Sequence, residues 1–599
     1  MKPRDTRYVA LRIAGEGGEG VISAGELLTQ VAGRLGMHIQ TYKTFPSEIR
    51  GGTAVYQIRV GPDEVLSQGD KLDILVAFNR EGFDRNIEEL HRGGVIVYDF
   101  EEEPAHRRIS TNYHVPMGEL AVEAGSKKAK NMVALGAICE LFGFPLDSME
   151  EGIRRKFGKK GEKIVESNVT ALGLGAKYVR ENITPRHELH FPEGRGDARV
   201  VMSGNEAISF GALAAGCRFF AGYPITPATE VMEWLAKYLP RMGGALVQAE
   251  DEIASLAMCL GASFAGKTAL TSTSGPGLAL MTEALGLASM AEIPLVVIDV
   301  QRAGPSTGMP TKAEQGDLYL AIYGAHSTAK RVVLAPTGVE DAFYQTIRAF
   351  NIAVKYQTPV IVLSEQSIAY SKQSMARPDF DAIDVFEEEF PPEPQGDEGW
   401  PQVDEITMGE GYPMTPVFPR YLRTHTGVSP RSVPGMKGRE YRATGLEHDE
   451  YARPRYDPDN RRAMVDKRLQ KMEEIRHEYG DEMEVIGEPD AQLALTSWGP
   501  TASVVRHAVM RKLEEGAPIK AFFPRMLCPM PDNAMRKQLQ GVRRVIVCEM
   551  NAEGMYAKII RHRYNQRGVH AVLKDLGEPF RPGDITPYID MALEEATRI

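Results

Sequence analysis

Cysteine is scarce in this chain. Its 599 residues include five cysteines, and no two of them are spaced as CxxC or near it: Cys139, Cys217, Cys259, Cys528 and Cys548. This spacing excludes an iron–sulfur cluster or a zinc site built from clustered cysteines of this chain, and it argues against a disulfide framework. We therefore expect the five side chains to be buried as small hydrophobic groups.

Two further features are missing, an excess of basic residues and a long apolar run. The formal net charge is -11, whereas nucleic-acid binding requires a basic face. No apolar run approaches the roughly 18 residues that a membrane span needs. The first residues, MKPRDTRYVALRIAG, also lack the apolar core of a signal peptide. We expect a cytoplasmic protein that binds neither nucleic acid nor a membrane.

The chain is long enough for three or more domains, and its pattern changes along its length. Residues 1–185 and 200–380 alternate strand-like apolar runs with helical patterns, on either side of a polar linker at 186–199. This alternation predicts α/β domains, with ligands at the carboxyl ends of the parallel strands. Residues 381–490 are acidic and Pro-rich and then form a charged helix, so they either wrap around the protein or contact a partner. Residues 491–599 predict a third α/β domain.

A glycine-rich turn follows the first predicted strand. Gly15, Gly17 and Gly20 match the GxGxxG pattern, with Gly18 between them, but no acidic residue ends a second strand about 20 residues on. Such a turn can bind phosphate through backbone N–H groups and a helix N-terminus. A tight structural turn explains the glycines equally well.

The stretch AGYPITPATE at 221–230 places polar groups at the end of a strand. Thr226 fits a helix N-cap with Pro227 at the first helical position, and capping alone explains both residues. The alternative is that a helix N-terminus and a free hydroxyl face an anionic ligand. The acidic triplet at 250–252 is explained in the same two ways, by the helix dipole or by a functional carboxylate.

Five motifs stand out in the middle and the second half of the chain: GYPITP, QAEDEIASLAMCLGASFAG, TSTSGPGLALM, IPLVVIDVQRAGPSTGMPTKAEQGDL and ATGLEHDE. Together they resemble the alpha subunit of the 2-oxoacid:ferredoxin oxidoreductases, most closely the 2-oxoglutarate type. The first segment, with GEGGEGVISAGELL, resembles the family's gamma subunit fused at the N-terminus, although Glu19 replaces the glutamine of the usual GGQG. The resemblance implies a gamma-like α/β domain, a pyrimidine-type thiamine-diphosphate-binding domain and a transketolase C-terminal-like α/β domain.

The resemblance implies thiamine diphosphate chemistry that this chain only partly supplies. Glu252 corresponds to the carboxylate that pairs with the aminopyrimidine ring and activates the cofactor, with Glu250 and Asp251 as rivals. The chain has no GDG followed by asparagine, the pattern that holds Mg²⁺ and the diphosphate, and no clustered cysteines for a [4Fe–4S] centre. A separate beta subunit is expected to supply both and to pass electrons to ferredoxin, in a dimer of alpha-beta heterodimers.

By the same resemblance, Thr226 binds the carboxylate or oxo group of a 2-oxoacid. The wall of the site is formed by Tyr223, Pro224 and Ile225. Arg302 and Lys312 are the candidate cations for the substrate's carboxylates, and their alternative is a place on the surface.

Coenzyme A is the expected co-substrate. Its candidate phosphate contacts are Gly17, Gly18, Gly20 and Arg50. The predicted reaction converts 2-oxoglutarate to succinyl-CoA and CO₂. The alternatives are pyruvate or branched-chain 2-oxoacids, or a non-catalytic scaffold that retains the fold.

Overall fold

A computed structural model describes residues 7–44, 52–102, 110–391, 418–480 and 482–597. The chain forms two compact units, which are considered separately. The first unit consists of Met1–Ser203, Tyr370–Pro378 and Arg581–Asp584, and the second of Gly204–Ala369, Asp379–Phe580 and Ile585–Ile599.

The first unit is built on a mixed eight-stranded sheet with the order β6-β5-β4-β1-β3-β2-β14-β7. Its strands are β1 (Val9–Glu16), β2 (His38–Thr44), β3 (Thr53–Gly61), β4 (Leu72–Ala77), β5 (Leu90–Tyr98), β6 (Ser110–His114), β7 (Val200–Ser203) and β14 (Lys372–Met375). Its helices are α1 (Val21–Arg34), α2 (Arg80–Asp84), α3 (Met117–Glu123), α4 (Lys130–Phe142), α5 (Leu146–Phe157) and α6 (Glu162–Asn182). β1 is central and buries every residue except the last, as its apolar run predicts.

Two strands of this sheet come from the range predicted for the second domain. β14 pairs antiparallel with β2 and with β7, so the segments around residues 200 and 372 complete the first unit's sheet. The reason is geometric: a strand can pair with any open sheet edge, whatever its distance along the chain. The predicted boundaries at 185, 200, 380 and 491 stay predictions.

The second unit contains a largely parallel seven-stranded sheet with the order β18-β12-β13-β11-β10-β8-β9, in which only β18 runs antiparallel to its neighbour. Its strands are β8 (Phe219–Gly222), β9 (Ala245–Gln248), β10 (Ala269–Thr273), β11 (Leu295–Gln301), β12 (Val332–Leu334), β13 (Pro359–Glu365) and β18 (Met526–Cys528). The helices in this part of the chain are α7 (Gly204–Ala214), α8 (Thr229–Tyr238), α9 (Glu252–Phe264), α10 (Gly275–Met290), α11 (Leu318–Tyr323), α12 (Val339–Tyr356) and α13 (Gln366–Tyr370). The predicted parallel sheet is confirmed.

A second sheet of this unit has the order β15-β17-β16-β19-β20 and is parallel apart from β15. Its strands are β15 (Met483–Gly487), β16 (Leu493–Thr496), β17 (Ile519–Pro524), β19 (Arg544–Glu549) and β20 (Val569–Leu573). The helices that follow in the chain are α15 (Gly499–Glu514), α16 (Asp532–Leu539), α17 (Met555–Arg563) and α18 (Pro582–Thr597). The apolar runs AFFP and VIVCE of the predicted third α/β domain lie in β17 and β19.

The region predicted to wrap or to contact a partner is ordered where it is described. Its charged helix is α14 (Pro458–Tyr479), capped by Asp457, whose side chain accepts the N–H of Asn460. Before it, Arg420 and Tyr421 are fully buried, and Arg420 donates to the Glu292 carbonyl at 2.7 Å. These contacts favour the wrapping alternative for residues 418–480, whereas 392–417 lie outside the described residues.

Four of the five cysteines are buried, and Cys528 is partly buried. Burial raises the pKa of Cys217 and of Cys259 to about 12. Thiols of this kind behave as small hydrophobic groups rather than as nucleophiles or metal ligands.

Within the described ranges, no helix is both long and apolar enough to span a membrane.

Candidate active site

Most predicted residues of the second unit follow the carboxyl ends of parallel strands: residues 223–226 follow β8, Glu252 follows β9 and Arg302 follows β11. The chain leaves β8 at Gly222, runs through Tyr223 to Thr226 and enters a turn before α8. The Ile225 carbonyl accepts the N–H groups of Ala228 and Thr229, at 2.8 and 3.1 Å. The predicted N-cap at Thr226 is therefore wrong: α8 begins at Thr229, and a backbone turn, not the Thr226 hydroxyl, satisfies its first donors.

Arg302 lies beside Thr226. It follows the last residue of β11, is buried, and donates from Nη1 to the Thr226 carbonyl at 2.7 Å. Its Nε is buried without a partner among the described residues, so the guanidinium keeps a donor for a ligand. Burial lowers the pKa of Arg302 while Asp317 opposes that shift, and an arginine remains charged under these conditions.

Glu252 occupies the first turn of α9. Asp251 is the N-cap, since its Oδ1 accepts the N–H of Ala254 at 2.7 Å. The Glu252 carboxylate is therefore not needed to cap the helix. Glu252 is only 6% exposed. No protein group of the described residues donates a hydrogen bond to its oxygens. A buried carboxylate costs free energy unless it is paired, so this one is suited to a polar ligand.

The lack of a side chain at Gly277 leaves room for the Glu252 side chain. A Cβ at Gly277 would lie 2.0 Å from Thr273 Oγ1, 2.6 Å from Glu252 Cγ and 2.7 Å from Glu252 Oε1. Only glycine fits at this close approach between α9 and α10. The TSTSGPG motif therefore does more than form a tight turn, because its second glycine, Gly277, leaves room for the Glu252 side chain.

Two further carboxyl groups lie at the same end of the sheet. Asp299 of β11 is fully buried with neither oxygen hydrogen-bonded within the described part of the chain. Asp317 places its carboxylate against Gly275, where a Cβ would lie 2.5 Å from Oδ1. Burial raises the pKa of Asp317 to about 7 and holds that of Asp299 well above its usual value. Neither residue was predicted as a site residue; the sequence signal was an aspartate inside the otherwise apolar run LVVIDV.

The loop between Arg302 and Asp317 is fixed at its far end by Gln315. This side chain donates to the Trp498 carbonyl at 2.9 Å and accepts the Thr501 hydroxyl at 2.8 Å and the Met550 N–H at 2.9 Å. Lys312, in contrast, is partly exposed, and its Nζ lies 4.0 Å from Glu578. The structure thus groups Thr226 with Arg302, while Lys312 lies beside the chain's C-terminal sheet domain.

In the first unit, the side-chain carboxylate of Glu19 lies within the glycine turn. Glu19 accepts the N–H of Glu16 at 2.7 Å, Asn79 Nδ2 at 2.9 Å and Lys130 Nζ at 3.1 Å. The N–H of Gly17 is also used, by the Gly52 carbonyl at 3.2 Å. The internal carboxylate occupies donors that a phosphate would need. Gly18 and Gly20 adopt positive φ, as a tight turn requires, and Arg50 lies outside the described residues.

The chain carries a buried, available glutamate, an arginine and a threonine at the carboxyl ends of parallel strands, as expected for an α/β chain of the thiamine-diphosphate-binding class. Three family models match it: "Pyruvate ferredoxin/flavodoxin oxidoreductase" over residues 10–178, "Pyruvate flavodoxin/ferredoxin oxidoreductase, thiamine diP-bdg" over 210–467, and "Pyruvate:ferredoxin oxidoreductase core domain II" over 491–585. The chain belongs to the 2-oxoacid:ferredoxin oxidoreductase family, which confirms the family predicted from its motifs.

Similar proteins cover nearly the whole chain. The 2-oxoglutarate oxidoreductase subunit KorA of Mycobacterium tuberculosis is 34% identical over 98% of this chain and 91% of its own length. Subunit alpha of the 2-oxoacid:ferredoxin oxidoreductase 2 of Aeropyrum pernix is 31% identical over 98% of both chains. A solved structure of the 2-oxoglutarate:ferredoxin oxidoreductase from Magnetococcus marinus, with 2-oxoglutarate, coenzyme A and succinyl-CoA bound, is 39% identical. It covers 98% of this chain and all of its own, with a TM-score of 0.91.

Proposed function

We propose that this chain is the alpha subunit, with a fused gamma-like segment, of a 2-oxoglutarate:ferredoxin oxidoreductase. The reaction joins 2-oxoglutarate and coenzyme A into succinyl-CoA and releases CO₂. Two electrons pass singly to two oxidised ferredoxins, and the thiol proton goes to solvent. The substrates bound to the Magnetococcus marinus protein, together with its high similarity to this chain, support the choice of 2-oxoglutarate.

The single observation that carries this proposal is the buried, available Glu252 carboxylate against Gly277. It fits the aminopyrimidine of thiamine diphosphate, because that ring offers the polar partner that Glu252 lacks. When bound, thiamine diphosphate supplies the carbon nucleophile and the electron sink for decarboxylation. The task of Glu252 is to hold a proton at the ring nitrogen and so to orient the cofactor.

The substrate contacts follow from the pairing of Arg302 with Thr226. The guanidinium, already oriented by the Thr226 carbonyl, binds the carboxylate next to the oxo group. The Thr226 hydroxyl completes that contact, while the segment Tyr223–Ile225 forms the wall. Lys312, which is partly exposed and lies 4.0 Å from Glu578, stays our candidate for the mobile point charge that reaches the second carboxylate of a dicarboxylic substrate.

A partner chain is part of the proposal, because the chain lacks clustered cysteines and a GDG motif. The exposed face of α9 carries Ile253, Ala257, Met258 and Gly261, and that of α10 carries Leu280 and Leu287. An apolar face of this kind next to the site is typical of a protein–protein interface. We place the beta subunit there, carrying Mg²⁺, the cofactor's diphosphate and the [4Fe–4S] cluster, in a dimer of alpha-beta heterodimers. A cytoplasmic location stays a prediction.

The test is to co-express the chain with a partner that carries GDG and CxxC motifs. The complex is assayed with a panel of 2-oxoacids, coenzyme A and a low-potential electron acceptor. We expect 2-oxoglutarate to be preferred, and the chain alone to be inactive. Glu252→Gln should lower turnover by at least about 100-fold, because the amide cannot hold the proton.

Glu250→Gln is the matched control, two residues away and outside the helix, and should retain turnover. A strong preference for pyruvate would overturn the choice of 2-oxoglutarate. If the complex held thiamine diphosphate and Glu252→Gln turned over at the wild-type rate, the catalytic assignment would be wrong.

A further inference from the structure

Asp317 interacts electrostatically with Arg302, to which the proposed function gives the substrate carboxylate. Its N–H donates to Gln301 Oε1 at 3.0 Å, which fixes the residue next to the end of β11. Its carboxylate lies against the first residue of α10, and Oδ2 is buried without a partner in the described ranges. Arg302 and Asp317 form no ion pair there, so they interact through space, and the guanidinium remains open to a ligand.

Asp299 is the second buried carboxyl group near this site. In the register of the sheet it stands opposite Thr273, two residues before the glycine that the Asp317 carboxylate touches. Because Asp299 is fully buried and neither oxygen is hydrogen-bonded, ionising it next to a second carboxylate is strongly unfavourable. Burial and Asp317 hold the pKa of Asp299 well above its usual value, whereas burial raises the pKa of Asp317 to about 7, so Asp317 is the member of the pair that exchanges a proton near neutral pH.

The other charged groups around Asp317 are few. Glu314, in the same loop, raises its pKa further, and Arg302 lowers it. Glu365 is the last residue of β13 and stands opposite Gln301 in the register of the sheet. Its oxygens accept the N–H and the hydroxyl of Ser367, and burial raises its pKa to about 7. The first two turns of α10, GPGLALMT, contribute no charged side chain.

We propose that Asp317 is a positioning residue that tunes Arg302 by taking up one proton when an anionic 2-oxoacid binds. Ionised Asp317 and the substrate carboxylate compete for the same guanidinium, and they repel each other across it. Protonation removes the competitor and leaves the full charge of Arg302 to the substrate. The proton returns to solvent when the product leaves. This inference rests on the proposed function, because it assumes that Arg302 binds the substrate.

The expected pH dependence has a definite sign. Below pH 7 Asp317 is already neutral, so KM is low and constant. Above pH 7 each binding event must take up a proton, so KM rises by up to about tenfold per pH unit. The substrate's own carboxylates stay ionised from pH 6 to 9 and cannot cause this change. The turnover number is not expected to follow the same curve, since Asp317 touches neither reacting atom.

The experiment measures KM and kcat of the reconstituted complex for 2-oxoglutarate from pH 6 to 9. Calorimetry in two buffers of different ionisation enthalpy counts the protons taken up on binding. Wild type should show the rise in KM and an uptake approaching one proton per site. Asp317→Asn, which mimics the neutral acid, should keep a low KM that does not change with pH and should take up no proton.

Two isosteric variants are the controls. Asp299→Asn removes the neighbouring buried carboxyl, and Glu365→Gln removes the other carboxyl whose pKa is raised to about 7; both should keep the wild-type KM profile. A pH-independent KM in the wild type, or a profile abolished by Glu365→Gln or Asp299→Asn and retained in Asp317→Asn, would overturn the inference. Absence of any 2-oxoacid turnover would instead overturn the proposed function, so the two failures are distinguishable.

Discussion

Glu292 shows how a single buried residue connects distant parts of the second unit. Its carboxylate accepts Lys467 Nζ at 2.6 and 2.7 Å and also pairs with Lys471, both from α14. Burial alone would raise the pKa of Glu292, but Lys467, Lys471 and Arg420 together hold it below its usual range. The pairing of two lysines with one carboxylate therefore makes the ionised glutamate part of the folded state.

Glu292→Gln should destabilise the second unit by about 3–5 kcal/mol, because the two lysines lose their counter-charge in a buried place. A folded pKa below the unfolded one contributes stability above pH ~4.5 that is lost as the pH falls through the folded value. The variant should therefore unfold at a lower temperature at pH 7 and lose less stability than wild type on acidification. Calorimetric melting at several pH values measures both effects.

The control for this prediction is Glu151→Gln. Glu151 pairs with Arg155 on the exposed surface of α5, and such a pair contributes little because solvent screens it. Equal melting temperatures for Glu292→Gln and wild type would contradict a stabilising role for the buried cluster.

At the residue scale, sequence reasoning found groups that stand in recognisable motifs and missed those defined only by burial. Glu252 and Arg302 were predictable because their motifs resemble a known family. Asp299 and Asp317 were not predictable. Their raised pKa values come from burial without hydrogen-bond partners, and only the folded chain shows that burial. The site roles of the predicted residues stay predictions until the variants are assayed.

At the scale of elements, the contact between α9 and α10 sets the position of Glu252. Gly277→Ala would place a methyl group within 3 Å of Thr273 Oγ1 and of the Glu252 side chain, so Glu252 must move. A displacement of about 1 Å at such a group lowers turnover by about 100-fold. We expect that loss in the reconstituted complex, measured as kcat, with the secondary structure unchanged in circular dichroism.

Gly286→Ala is the matched control on the same helix. Its Cβ would meet only Glu283 Oε2, at 3.6 Å, so alanine fits there and should stabilise the helix by about 0.5–1 kcal/mol. Wild-type turnover in both variants would show that the spacing of α9 and α10 does not govern the site.

Element boundaries were the weaker part of the sequence prediction. The parallel strands and the charged helix α14 follow from apolar runs and periodicity. The start of α8 could not be predicted in this way. Thr-Pro is a common helix opening, and the pattern does not show that the Ile225 carbonyl accepts the first N–H groups of the helix. The pairing of β14 with β7 and β2 joins segments more than 150 residues apart, and no local signal encodes it.

At the scale of the whole molecule, the proposed interface on α9 and α10 makes activity depend on a second chain. Ile253 is 51% exposed at the start of α9, beside Glu252. Ile253→Glu should weaken association with the partner by at least about tenfold, because an unpaired carboxylate would be buried on binding. Analytical ultracentrifugation of the co-expressed chains measures this effect.

Met510→Glu is the control for the interface. Met510 is also an exposed apolar residue on a helix of the second unit, but it belongs to α15 and not to the proposed interface on α9 and α10. The variant should assemble as wild type does. If Ile253→Glu and Met510→Glu assembled equally well, the partner would have to bind elsewhere.

Helix α10 is held at both ends. Its first turn receives Glu252 at Gly277 and Asp317 at Gly275, and just beyond its last turn Glu292 is held by Lys467, Lys471 and Arg420. The orientational entropy of the Glu252 carboxylate is therefore lost during folding rather than during binding. Under the proposed function, a cofactor that entered this site would meet a preorganised acceptor. The irregular segment before α14 would support that arrangement through Arg420, which donates to the Glu292 carbonyl.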